Sequence, residues 1–211
     1  MNQTLESLGK HRLVPVIAID NANDATPLGE ALIAGGLPCA EVTFRTAAAA
    51  DSIAAMAKLS GLLLGAGTVL KVDQVKQAID LGATFIVAPG FNPKVVGYCV
   101  ENGITVTPGV SNPTDIEMAL EFGLEVVKFF PAEAYGGLNT LKAISAPYGG
   151  LRFMPTGGIT EKNLLTYLSF PKVLACGGSW MVKPELILAG DFAGITTLVK
   201  SAVELAQSRK S

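Results

Sequence analysis

Residues 122–131 read FGLEVVKFFP. A glycine stands where a helix would stop, a short linker follows, and a run of valines and phenylalanines is closed by proline. Glycine supplies the left-handed conformation of a helix C-cap, and proline bars continuation of a strand. The same layout returns in AGGLPCAEVTFR (34–45), LGATFIVAPG (81–90) and NGITVTPGV (102–110). The segments at 81–90, 102–110 and 122–131 follow one another at about 20-residue intervals, the length of one strand-plus-helix unit.

Working outward, further strands are predicted over residues 14–19, 62–66, 152–155 and 173–176. Helical patterns fill the gaps, over 48–59, 73–81, 93–101, 113–122, 138–145 and 161–168. Asn92 and Asn112 stand just before Pro93 and Pro113, an N-cap followed by a proline whose missing N–H is harmless at a helix start. About eight strands, each trailed by a helix and apolar on both faces, imply a parallel sheet covered by helices. The class is α/β, and a compact (β/α)8 TIM barrel fits best. A doubly wound open sheet is the alternative, because alternation alone does not show closure. Residues 1–10 form an extra N-terminal helix, and 191–207 a further one. No linker or low-complexity tract divides the chain, so residues 1–211 are expected to form one domain.

The chain is 49% hydrophobic but only 16% charged, against about 25% charged in an ordinary soluble protein. That deficit points to a large core, a buried subunit interface, or both. A net charge of −2 and the absence of a basic run argue against nucleic-acid partners. No apolar run is long enough for a membrane span, and the N-terminus lacks a signal-peptide layout. A cytoplasmic location is therefore expected. Cys39, Cys99 and Cys176 are odd in number and far apart, so reduced core thiols are expected. His11 is the sole histidine, which leaves acid–base chemistry to carboxylates, lysine, tyrosine or water. No metal site and no cofactor are expected.

Lys128 is the anomaly of 122–131. An ammonium in an apolar strand costs several kcal/mol unless it is paired or gives up its proton. Strand parity puts Val126, Lys128 and Phe130 on one face, and Val127 and Phe129 on the other. In AEVTFRT the same parity aligns Glu41, Thr43 and Arg45. If the valine–phenylalanine faces pack on the outer helices, Lys128 and Glu41 point into the barrel near its C-terminal mouth, where barrel enzymes carry their chemistry. The plainer reading of a charged residue at a strand end is a solvated rim. Against it stand the aromatic and branched neighbours, the position before the terminating proline, and Glu41 as an inward partner. Arg45 is a further cation at the same face.

Two glycine turns, PTGGI (155–159) and CGGSW (176–180), close the last two strands. Barrels often hold phosphate between these loops, because glycine lets the backbone approach the anion. Thr156 and Ser179 add hydroxyl donors. GAGT (65–68) forms another close-approach turn, with Thr68 as a candidate carboxylate donor.

The set EVTFRT, GAGTVL, VAPGFNP, TPGVSNP, VKFFPAE, MPTGGI and ACGGSW resembles the aldolases of 2-keto-3-deoxy-6-phosphogluconate (KDPG) and 4-hydroxy-2-oxoglutarate (KHG), and the resemblance runs from about residue 14 to 180. The resemblance implies a class I, metal-independent, usually trimeric aldolase of the Entner–Doudoroff pathway. It would split the phosphogluconate into pyruvate and D-glyceraldehyde 3-phosphate. Some members also split 4-hydroxy-2-oxoglutarate into pyruvate and glyoxylate. It implies Lys128 as the Schiff-base lysine and Glu41 as the general acid/base, with Arg45 and Thr68 on the keto acid. Pro89 and Phe130 would wall the pyruvyl pocket, and Gly157, Gly158, Gly178 and Ser179 would hold phosphate. Thr156 tilts the choice toward the gluconate over the galactonate epimer. The alternatives are a 2-dehydro-3-deoxy-6-phosphogalactonate aldolase, a magnesium-dependent pyruvate aldolase using Glu41, and a sugar-phosphate-binding barrel without activity.

Overall fold

A computed structural model describes residues 1–208; the last three residues of the expected 1–211 domain lie outside the described residues. Helix α1 (Gln3–His11) leads into β1 (Leu13–Ile17), then α2 (Ala25–Ala34), β2 (Cys39–Thr43), α3 (Ala49–Met56) and β3 (Leu63–Gly67). The chain continues through α4 (Val72–Asp80), β4 (Phe85–Val87), α5 (Pro93–Glu101), β5 (Thr105–Thr107), β6 (Gly109–Val110) and α6 (Pro113–Glu121). It ends with β7 (Val126–Phe129), α7 (Gly137–Ser145), β8 (Arg152–Pro155), α8 (Leu164–Leu168), β9 (Cys176–Gly178), α9 (Pro184–Leu188) and α10 (Phe192–Gln207).

Every strand pairing is parallel. β1 to β5 lie side by side in chain order, and β6, β7 and β8 form a second run. β9 pairs with β1, matching Leu13 to Cys176 and Pro15 to Gly178. Bridges between Phe153 and Val173 and between Thr156 and Gly177 join β8 to the β9 segment. β5 and β6 are one stave interrupted at Pro108, whose carbonyl accepts the Lys128 N–H at 2.9 Å. Eight staves therefore close into a (β/α)8 barrel, and the open sheet is ruled out by the pairing of the last strand with the first. The interruption has a steric cause: a Cβ on Gly109 would lie 2.0 Å from the Pro89 carbonyl oxygen, so glycine there permits a backbone approach that regular pleating would not.

Parity organises the core into two shells. Leu13, Val42, Ala66, Ile86, Val127 and Phe129 pack outward against the helices. Val14, Cys39, Phe85, Val87, Val126 and Met154 fill the barrel interior, together with Leu5 and Leu8 of α1. Helix α1 is thus a plug for the N-terminal end. Asn2 caps it by accepting the Leu5 N–H, and its side-chain amide donates to Thr105 Oγ1 at 2.8 Å. The Phe85 ring occupies the space that a Cβ on Gly65 would take, 2.2 Å away. With one end sealed by apolar side chains, polar groups can gather only at the other.

The three cysteines are buried free thiols. Burial pushes Cys99 up to about 12. Burial also raises Cys176, and burial together with the Glu41 carboxylate raises Cys39. Such thiols are poor nucleophiles near neutral pH. No helix among the described residues is long and apolar enough to cross a membrane.

Candidate active site

Glu41 on β2 and Lys128 on β7 both project into the barrel above the apolar plug. Their exposures are 2% and 6%, and Lys128 Nζ lies 3.5 Å from Glu41 Oε1. A buried charge survives only with a partner, and here each of the two is the other's. The separation exceeds that of a tight N–H···O− bond, about 2.7–2.9 Å, and Glu41 Oε1 has no hydrogen-bond partner. The amine and the carboxylate are neighbours with spare bonding capacity. The Phe130 ring covers the amine, its centroid 5.0 Å from Nζ.

Gly67 makes room for the carboxylate, since a Cβ there would stand 2.2 Å from Glu41 Oε1. Gly67→Ala is therefore expected to displace Glu41 by about an ångström and lower turnover about 100-fold, with the fold intact by circular dichroism. Wild-type turnover in that variant would show that the position of Glu41 is immaterial.

A cavity of about 170 Å³ is walled by Val16, Arg45, Phe130, the turn from Thr156 to Ile159 and the turn from Gly177 to Ser179. Gly157 and Gly158 both take positive φ, +96° and +80°, which residues with a Cβ rarely adopt. The two turns touch: a Cβ on Gly177 would lie 2.4 Å from Thr156 Oγ1. A Cβ on Gly178 would lie 2.0 Å from the Trp180 ring. Arg45 is exposed at this rim, and its Nε donates to Thr43 Oγ1 at 3.0 Å. Thr43 in turn donates to the Ile17 carbonyl at 2.8 Å.

The structure thus brings together Arg45, Phe130, Thr156, Gly157, Gly158, Gly178 and Ser179 around one cavity, with Phe130 also in contact with Lys128. The charged neighbour of Lys128 is Glu41, whereas Arg45 is tied to Thr43. Thr68 and Pro89 follow β3 and β4 at the same end of the barrel, but neither lines the cavity. Thr68 has φ of +55°, and Pro89 meets Gly109 through its carbonyl. The sequence assigns no individual role to Val16 or Ile159; Gly67 belongs to the close-approach turn GAGT, and the group it approaches is Glu41. Thr43 was placed on the right face by parity, but its grip on Arg45 depends on β1 and could not be read from β2. Among the described residues, no three His, Cys, Asp or Glu side chains gather to hold a metal ion.

The family model described as KDPG and KHG aldolase matches residues 5–198. The chain is 51% identical over 201 residues to the 2-dehydro-3-deoxy-phosphogluconate aldolase of Treponema pallidum, covering 95% of this chain and 96% of that one. Among solved structures it is similar to the 2-keto-3-deoxy-6-phosphogluconate aldolase of Zymomonas mobilis ZM4 with 3-phosphoglycerate. The TM-score is 0.91 at 38% identity, covering 100% of this chain and 98% of that one. It is equally similar to the KDPG aldolase of Legionella pneumophila, solved with pyruvate captured as a covalent carbinolamine intermediate. There the TM-score is 0.91 at 37% identity, covering 95% of this chain and 98% of that one. A matching barrel, a matching family model over most of the chain and a relative at half identity lead to one conclusion: the chain belongs to the KDPG and KHG aldolase family.

Proposed function

We propose that this chain is a class I aldolase that splits 2-dehydro-3-deoxy-6-phospho-D-gluconate into pyruvate and D-glyceraldehyde 3-phosphate. It also takes 4-hydroxy-2-oxoglutarate, giving pyruvate and glyoxylate. The observation that carries the reading is a buried amine 3.5 Å from a buried carboxylate, covered by an aromatic ring that also walls a glycine-lined cavity. The carbinolamine captured in the Legionella pneumophila relative supports covalent chemistry on pyruvate. The phosphogluconate name of the Treponema pallidum relative supports the gluconate epimer.

In this reading Lys128 Nζ adds to the C2 carbonyl, and loss of water leaves a protonated imine. Glu41 removes the C4 hydroxyl proton, directly or through water. The C4–O electrons form the aldehyde, the C3–C4 bond breaks, and its electrons pass into the imine to give an enamine. Glyceraldehyde 3-phosphate departs, the enamine takes a proton at C3, and water releases pyruvate and the free lysine. Arg45 neutralises the substrate carboxylate, which a guanidinium fits in its plane, and Thr68 assists. Pro89 and Phe130 wall the pyruvyl end. Thr156, Gly157, Gly158, Gly178 and Ser179 hold the phosphate, whose binding orients the reacting carbons.

The whole chain acts as one domain, cytoplasmic and homotrimeric, with neither metal nor cofactor. Exposed Leu70, Val100 and Leu120 and the low charge content support a buried subunit face. Pyruvate release from the gluconate and galactonate epimers, with and without chelator, tests the assignment. Faster cleavage of the gluconate, unchanged by chelator, is expected. Preference for the galactonate, or loss of activity on chelation, would overturn it.

A further inference from the structure

The turn at 156–160 is held from outside the cavity. Ala132 N–H donates to the Thr156 carbonyl at 2.8 Å, and Glu133 N–H to the Gly157 carbonyl at 3.0 Å. The Asn163 side-chain amide donates to the Gly158 carbonyl at 3.0 Å. Asn163 Oδ1 accepts the Thr160 N–H at 2.8 Å. Beneath Gly158, the Glu133 side chain leaves no space for a Cβ, 2.6 Å away, and its carboxylate is bound by the Tyr167 hydroxyl.

In a trans peptide the C=O of one residue and the N–H of the next point in opposite directions. With the Gly157 and Gly158 carbonyls drawn toward Glu133 and Asn163, the N–H groups of Gly158 and Ile159 face the other way. Ala132, Glu133 and Asn163 do not line the cavity, whereas Gly158 and Ile159 do. The backbone donors are therefore aimed into the cavity. The Gly157 carbonyl is held by a backbone donor, but that of Gly158 is held by the Asn163 side chain, and there substitution can act.

We propose that Asn163 is a positioning residue for the phosphate grip and sets the preference for phosphorylated over unphosphorylated hydroxy-keto acids. The inference rests on the reading of the glycine turns as the phosphate site. Asn163 itself touches no reacting atom. Its amide fixes the Gly158–Ile159 peptide before substrate arrives, so its loss weakens binding of the phosphate end without slowing chemistry at Lys128.

The test is steady-state kinetics of Asn163→Ala and Asn163→Asp on both 2-dehydro-3-deoxy-6-phosphogluconate and 4-hydroxy-2-oxoglutarate, with inorganic phosphate as a competitive inhibitor of the first reaction. Asp keeps the acceptor for the Thr160 N–H, replaces the donor to Gly158 by a negative charge, and stands in if the Ala variant does not fold. Both variants are expected to raise KM for the phosphorylated substrate about five- to tenfold, with kcat within about twofold. Cleavage of 4-hydroxy-2-oxoglutarate stays unchanged, and inhibition by phosphate weakens in proportion. Equal losses on both substrates, no loss on either, or wild-type behaviour of the Asp variant would each overturn the role of Asn163. Wild-type enzyme that phosphate does not inhibit would instead remove the phosphate site itself, and the proposal with it.

Discussion

Lys128→Met is expected to lower turnover by about five orders of magnitude or more, a scale set by the loss of covalent catalysis. Methionine keeps an unbranched stem of similar reach among Val126 and Phe130, so packing survives while the amine is gone. Without it no imine forms, and the electrons of the breaking C3–C4 bond have nowhere to go. Lys128→Arg is expected to fail equally, because a guanidinium remains protonated and cannot add to a carbonyl. The Met variant carries a second signature. It leaves Glu41, 2% exposed, without the ammonium it is paired with, and breaking a buried pair this way costs about 3–5 kcal/mol. Adding Glu41→Gln to Lys128→Met should recover part of that loss, because the uncompensated charge is then removed. Chemical denaturation of the two single variants and the double variant measures the coupling. Strictly additive effects would show that the two groups do not interact in the folded protein.

Glu41→Gln alone should slow turnover about 10²- to 10⁴-fold, the range of general acid–base catalysis. The amide fits the space that Gly67 leaves, so Lys128 keeps its surroundings and pyruvate still condenses with it. What is lost is proton transfer at the C4 hydroxyl and at C3. Exchange of the pyruvate methyl protons into deuterated water isolates the second of these, and it should slow with turnover. Exchange at the wild-type rate would show that Glu41 is not the base.

Much of this site was legible because period-two alternation is local. Val127 and Phe129 had to face the helices, so Lys128 had to face the barrel, and the same parity in β2 sent Glu41 inward. Helix α5 begins at Pro93 after the Asn92 cap and ends at Glu101, matching the expected limits because both signals are adjacent in sequence. Where partners are distant in sequence, local pattern does not fix an element's limits. The last strand is expected over 173–176; Val173 does bridge Phe153 there, but the pairing with β1 runs on over Cys176–Gly178. Helix α8 starts at Leu164, not 161, because the turn preceding it is organised by Asn163. The break between β5 and β6 answers to the Pro89 carbonyl, and α9 was not anticipated. Gly67 takes part in the site through its neighbour strand β2, and Val16 and Ile159 through the cavity that several strand ends share. No spacing within one strand announces such contacts.

Incubation with pyruvate and borohydride, followed by peptide mass analysis, tests the central claim most directly. A reduced pyruvyl adduct confined to the peptide carrying Lys128, and absent from Lys128→Met, is the predicted result. No adduct, or an adduct on another lysine, would contradict it.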